Sequence, residues 1–270
     1  MKHFKESNLA IVGTARNVSK YLHRIYRALS EATINFNSRT FFIVESYSTD
    51  STVDVLESLS KNDRGFLYTS LQELESPLPP LSIRISQARN AAADMAREYD
   101  GYFDYVLVAD LDNVNRDITA SRLESCWKYQ NWDMMSANQP FAYYDTWAFR
   151  HRILSPGDCW RDYDSLVEYF GKDEALKLAV RNRVLKIPPH AKPIPVDSAF
   201  GGLAVYRSKP YLKHRYSGVD KHGKEICEHV ELHRDLINDG CSLFINPMMI
   251  NLNPARQGIT NFVTNLLKKP

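Results

Sequence analysis

Asp110, Leu111 and Asp112 put two carboxylates one residue apart, and a chain that turns there can aim both at one divalent cation. Magnesium or manganese suits such a pair, because hard cations take oxygen ligands, keep several waters and are held by one or two carboxylates plus substrate phosphates. A cation so placed would neutralise charge on a departing diphosphate. The same residues also suit a simpler task, since Asp112 and Asn113 are good caps for a helical turn that follows.

A second group lies in the run CEHVELH, where Glu228, His229, Glu231 and His233 fall within six positions. On a helix, Glu228 and Glu231, or His229 and His233, share a face. A carboxylate or an imidazole is what removes a proton from a hydroxyl, so Glu228, His229 and Glu231 are candidate bases and His233 is a candidate third metal ligand. Glu228 would equally favour the start of a helix. The glutamates lie outside the HExxH arrangement, which argues against a zinc protease.

Donor groups for a nucleotide are found in two further runs. In GTARN, Gly13 permits a tight turn, and Arg16 and Asn17 offer hydrogen-bond donors. In ESYSTDST, Glu45 and Ser46 stand where an acidic residue accepts bonds from a ribose or a base edge, while Asp50 suits an Asx turn that caps the next helix. Arg84, Gln87, Arg89 and Asn90 follow a proline-rich loop, and a guanidinium there can fork onto phosphate or form a surface salt bridge.

The elements that must position these residues alternate strand and helix. Leu9 to Gly13 reads as a buried strand, followed by a helix from about Asn17 on which Val18, Tyr21, Leu22, Ile25 and Leu29 recur at helical spacing. A strand from Thr40 to Glu45, a helix carrying Val55, Leu56 and Leu59, and a strand at Phe66 to Tyr68 come next. Pro77, Pro79 and Pro80 then predict a loop, before a helix from about Ile83 to Tyr99 and the apolar strand Tyr105 to Asp110. Ligands in open α/β sheets bind beyond the carboxyl ends of strands, which is where Asp110 and Asp112 emerge. From about Pro140 to Pro195 the pattern is irregular, with a short helix near Glu168 to Val184; a strand at Ala199 to Tyr206, a helix at Glu228 to Asn238 and a strand at Leu243 to Ile245 follow.

Composition narrows the class. A chain of 270 residues with 44% hydrophobic and 24% charged residues is an ordinary globular protein, and a net charge of +2 gives no field for nucleic acid. Cys126, Cys159, Cys227 and Cys241 form no CxxC pair, so neither a zinc site nor a disulfide framework is expected. The start, MKHFKESNLAIVG, lacks an apolar core of signal-peptide length, and no run approaches the roughly 18 apolar residues of a membrane span. These features predict a cytoplasmic protein. The ending NFVTNLLKKP sets Phe262, Val263, Leu266 and Leu267 beside two lysines, which fits a short helix packed on the domain or peripheral contact with an anionic inner membrane face.

The ordered series GTARN, ESYSTDST, SQARNAAAD, VADLDN and CEHVELH, from about Leu9 to Asn253, resembles the GT-A glycosyltransferases. The resemblance implies a Rossmann-like, mixed but mainly parallel sheet flanked by helices, with Mn2+ or Mg2+ as cofactor. It implies that Asp110 and Asp112 form the DxD motif, that Glu45 and the residues after it contact the nucleotide, and that Arg89 lies near the donor. FAYYDTWAFRHR and DSAFGGLAVYR also look like capsule-type mannosyltransferases, which would set Tyr144, Asp145, Trp147, Asp197 and Gly201 around sugar and acceptor. One departure is that many inverting members have Glu-Asp where this chain has Glu228 and His229, so the stereochemical course is left open.

On this reading residues 1–139 form a nucleotide-sugar-binding half, about 140–253 an acceptor and catalytic half, and 254–270 a C-terminal extension of one catalytic domain. The expected activity is transfer of a hexosyl group from a nucleotide-sugar to a saccharide or glycolipid in surface polysaccharide assembly. Two rivals are a sugar-phosphate nucleotidyltransferase, which would release pyrophosphate, and a carbohydrate-binding protein with Trp132, Trp147 and Trp160 as stacking platforms. The first lacks an early glycine-rich loop with a lysine, and core packing explains tryptophans equally well.

Overall fold

The computed structural model describes residues 1–71, 79–139 and 142–252. Pro77, Pro140 and the helical pattern from Phe262 to Leu267 lie outside the described residues. In chain order the elements are β1 (Asn8–Ala15), α1 (Ser19–Ala32), β2 (Ser38–Ser46), α2 (Thr52–Asn62), β3 (Phe66–Leu71), α3 (Leu81–Glu98), β4 (Tyr105–Asp110), α4 (Ala120–Glu124) and β5 (Met134–Asn138). The second half adds α5 (Cys159–Ala179), β6 (Ile194–Pro195), β7 (Leu203–Arg207), α6 (Ser208–Lys213), α7 (Glu228–Asn238) and β8 (Leu243–Ile250).

All eight strands join one sheet in the order β3-β2-β1-β4-β7-β5-β8-β6. Pairing is parallel for β1 with β2 and β4, β2 with β3, and β5 with β8, and antiparallel where β7 meets β4 and β5 and where β6 meets β8. This is the mixed, mainly parallel sheet expected. Side chains alternate between two cores: Ala10, Val12, Phe42, Val44, Val106 and Val108 face α3 and α7, whereas Leu9, Ile11, Phe41, Ile43 and Leu107 face α1 and α2. Burial on both faces is why these strands read as unbroken apolar runs. Alanines 88, 92, 93 and 96 bring α3 close to the sheet.

The starts of α1 and α2 are tied together. Asp50 accepts from the Ser19 amide and hydroxyl and from the Thr52 amide and hydroxyl, while Thr52 Oγ1 accepts from the amides of Val18 and Ser19. Asp50 thus serves two helix starts rather than one.

In the second half α7 spans Glu228–Asn238 and β8 begins at Leu243 as expected, but other elements depart from expectation. Helix α5 begins at Cys159, well before Glu168, because the Asp158 carboxylate accepts from the amides of Trp160 and Arg161, and Gly171 at φ 73° kinks it. Strand β7 starts at Leu203 rather than Ala199, since Gly201 and Gly202 at φ 67° and 82° form a turn. Strand β5, a run of Met, Ser, Ala and Asn, carries no β-branched residue to announce it. Strand β8 continues past Ile245 to Ile250, with Pro247 near the register shift against β5. Among the described residues no helix is long and apolar enough to cross a membrane, and the four cysteines are free thiols.

Candidate active site

Pairing in register sets Glu45 beside Ala15 and Asp110 beside Thr14, so β1, β2 and β4 end at one rim of the sheet. Two recesses open there and share Leu81, Ile85, Asp110 and Asp112. The first, about 750 Å³, adds Arg16 and Ser46 from the strand ends and Arg84 from α3. The second, about 960 Å³, is walled by Tyr144, Trp147, Trp160 and Phe200, with Arg89, Asp145, Glu228 and His229 among its polar groups. These volumes include the solvent at their mouths and suit small-molecule ligands.

The turn bearing Asp110 and Asp112 is held from behind by buried amides. The Asp110 amide donates to the Gly202 carbonyl, and Asn115 Nδ2 donates to the carbonyls of Asp110 and Gly202. Asn251 in turn donates to Asn115 Oδ1 and to the Gly201 carbonyl, and Gln139 donates to Gly201 and Asn251. Asn115, Gln139 and Asn251 are fully buried, so the turn is fixed by groups with no water to compete for them. Gly202 belongs to this arrangement: a Cβ there would lie 2.6 Å from Val114 Cγ1.

Asp112 does cap, its Oδ1 accepting from the Val114 amide at 3.0 Å. Its surface is open to the cleft, yet the walls exclude enough water that burial, and then the charge of Asp110, push its carboxyl up to about 6. Asp110 accepts from Arg89 Nη2 at 2.9 Å. Among the described residues no cluster of three or more His, Cys, Asp and Glu forms a closed metal cage. Two crowded carboxylates that open on solvent still fit Mg2+ or Mn2+, which keep waters and complete their shells with phosphate.

Arg89 is the centre of the second recess. It is buried, its Nε bonds Glu228 Oε1 at 2.9 Å while Nη2 bonds Asp110, and its Nη1 has no partner. The guanidinium lies 4.8 Å from the centre of the Phe200 ring. Burial works against its charge, but Asp110 and Glu228 outweigh that and hold it firmly cationic. Asp145 faces the same recess; Oδ2 accepts from the Gly201 amide at 2.8 Å and Oδ1 from the Ala148 amide at 3.2 Å. Burial, with smaller contributions from Asp110 and Glu228, pushes its carboxyl up to about 6.

Several expected site residues are placed elsewhere. His233 is not a metal ligand: both ring nitrogens are within 2.8 Å of partners, Nδ1 with Ser198 Oγ and Nε2 with the Tyr206 hydroxyl, in the core. Glu231 points away from both recesses and pairs with Arg234. Asp197 is exposed and lines neither recess. His229 does line the second recess, stacked on Phe200 at 3.8 Å, but burial, then Arg89, hold its imidazole far below the usual range. It is therefore neutral and a poor proton acceptor. Glu45 is buried and accepts from the Ser48 amide at 2.6 Å, so it shapes its own turn and lines neither recess.

Gly13 makes no turn; it lies inside β1, where a Cβ would come within 2.9 Å of the Ala109 carbonyl. Asn17, at φ 51°, accepts from the Thr49 amide and donates from its own amide to Ser48 Oγ, linking two loops. Trp132 is core, whereas Trp147 and Trp160 face the cleft. Of the three tryptophans expected as stacking platforms, Trp147 and Trp160 line the recess, and Trp160 also packs in a small core with Cys159, Ala179 and Val180. The buried amides behind Asp110 had no signal in the sequence, because Asn and Gln usually mark surface.

No protein-family model matches the chain, and a search of curated proteins returns no match. Among solved structures, residues 1–349 of TarS from S. aureus are 14% identical, with 88% of this chain and 57% of that one covered at a TM-score of 0.47. A mannosyltransferase from Pyrobaculum calidifontis, in complex with GDP-Man and Mn2+, is 12% identical over 95% of this chain and 60% of that one, at 0.48. Likeness at this level carries neither the family nor the chemistry of those proteins over to this chain.

Proposed function

We propose that this protein is a glycosyltransferase of the GT-A type, which moves a hexosyl group from a nucleoside-diphosphate sugar onto a saccharide or glycolipid hydroxyl in surface polysaccharide assembly. One observation carries this reading: Asp110 and Asp112 stand at the junction of two recesses of different character. The recess lined by Arg16, Ser46 and Arg84 offers guanidinium and hydroxyl donors for a nucleotide and its phosphates. The other offers Tyr144, Trp147 and Trp160, whose faces suit the apolar side of a pyranose. A sugar joined to a diphosphate spans such a junction, with the scissile bond beside the two aspartates.

Asp110 and Asp112 would hold the divalent cation, which when bound supplies positive charge to the leaving diphosphate. Arg89 keeps Asp110 aimed at the junction and balances its charge until cation and donor arrive. Peripheral contact with the inner face of a membrane would bring a glycolipid acceptor to this recess.

The test is a thermal-shift screen of nucleoside diphosphates with and without Mn2+, followed by product analysis. A native-state ligand raises apparent stability by mass action, so a stabilisation by one nucleoside diphosphate that needs Mn2+, and disappears in Asp112→Ala, is expected. Turnover should release a nucleoside diphosphate from the matching sugar donor. Release of pyrophosphate, or saccharide binding that ignores nucleotide and metal, would refute the reading.

A further inference from the structure

On the premise of glycosyl transfer, we infer that Asp145 is the catalytic residue that takes the proton from the acceptor hydroxyl, and that Glu228 is a positioning residue acting through Arg89. The start of α7, where a base was expected, does not provide one. Glu231 is turned outward to Arg234, and both nitrogens of His233 are used in the core. His229 is neutral and walled in by Phe200. Glu228 is buried with Oε1 on Arg89 Nε and Oε2 3.7 Å from Cys227 Sγ. A proton on Glu228 would break a buried ion pair and leave Arg89 less well balanced.

Asp145 differs in each respect. Among the described residues it has no ion-pair partner, and its two bonds come from the uncharged amides of Gly201 and Ala148. Each carboxylate oxygen therefore keeps a free lone pair while the group is locked in orientation. It faces the aromatic recess between Tyr144 and Trp147, where an acceptor sugar would stack, and it is half-buried rather than sealed. The charged groups around it are Asp110 and Glu228, which favour its protonated form, and Arg89, whose Nη2 and Nε are bonded to those two; Tyr143, Tyr144 and Cys227 nearby are neutral. A carboxyl raised to about 6 has the balance of ionisation and basicity that suits a base near neutral pH.

The step balances. The acceptor oxygen forms a bond to the anomeric carbon, the bond from that carbon to the diphosphate oxygen breaks, and its electron pair leaves with the nucleoside diphosphate. The hydroxyl proton ends on Asp145. A dedicated base on the acceptor side implies a single displacement, so the product anomer is inverted relative to the donor.

The experiment uses the full chain with Mn2+ and a panel of UDP- and GDP-hexoses, reading nucleoside diphosphate release with water as acceptor, and product configuration by NMR. Asp145→Asn is expected to lower turnover by about 10²–10⁴-fold, to leave the donor KM and the nucleoside diphosphate thermal shift near wild type, and to abolish the acid limb of the pH profile. Asp145→Glu retains a carboxylate and should keep that limb at a reduced rate, which also serves if Asp145→Asn folds poorly. Glu228→Gln should keep the limb too. Turnover in Asp145→Asn within a few-fold of wild type, loss of the limb in Glu228→Gln, or a retained anomer would each overturn the inference. Wild-type protein that releases nothing from any donor overturns the transfer reading and this inference with it, whereas release that survives Asp145→Asn overturns this inference alone.

Discussion

On the wall of the cleft that β4 supplies, Asp112 bonds a near neighbour, the Val114 amide. On the facing wall, Arg89 from α3 reaches Glu228 across 139 residues of sequence, and Asp145 holds Gly201 across 56. The first wall is open and polar, so its groups can be changed at little cost to the fold. The second buries its charges, so its groups serve binding and stability at once. Removing a residue from the first should therefore cost activity alone, and from the second both.

Beyond the loss expected of Asp145→Asn, a large effect lies on the first wall. Asp112→Ala removes one oxygen donor for the cation and a cap for one turn, and should lower metal-dependent turnover by about 10²–10³-fold, the typical cost of losing a preorganised charge contact. Its melting temperature should stay near wild type. A matching loss of stability would break the contrast between the walls. Arg89→Met tests the other wall: it strands Glu228, buried, and Asp110, partly buried, without their cation. Breaking a buried pair costs about 3–5 kcal/mol, which denaturant titration would register together with lost activity.

The same contrast governs what could be read from the sequence. The parallel half of the sheet was legible because burial on both faces writes unbroken apolar runs, as in Tyr105 to Asp110, and because a strand end followed by two aspartates is a local signal. The antiparallel half was legible only in part, with β7 and β8 expected but β5 and β6 not. Strand β5 lacks β-branched residues, the turn at Gly201 and Gly202 cut short the strand expected from Ala199, and Asp158 started α5 ahead of its periodic stretch. Within CEHVELH, spacing placed four chemical groups on a helix but not which way each faced. Helical geometry sends His229 and His233 inward together and Glu231 outward, and tertiary packing then decides that Arg89 claims Glu228.

A smaller effect sharpens the division within α7. Tyr206→Phe removes the hydroxyl partner of His233 Nε2 and leaves a buried polar atom unsatisfied. Such a loss costs about 1–3 kcal/mol. Since His233 is core and not cleft, turnover under stable conditions should be unchanged; a change in metal dependence would restore His233 to the site.

The smallest effect is a slope. An aspartate in the unfolded chain titrates near ~4, whereas Asp145 in the folded protein is raised to about 6. Between those values the folded chain holds a proton that the unfolded chain has released, so the stabilising contribution is complete below the lower value and is lost as pH rises through the upper one. Asp112 acts in the same direction. Metal-free protein should therefore lose stability from about pH 4 to 6 through these groups, against the gain that ordinary ion-paired carboxylates such as Asp94 give as pH rises. Asp145→Asn should remove its share of the downward slope, as read by denaturant midpoints across pH in EDTA. Adding Mn2+ at pH 7 should restore stability in wild type and in Asp145→Asn but not in Asp112→Ala, because the cation relieves the repulsion on the first wall only. Equal responses in all three proteins would mean that the two walls share one electrostatic site.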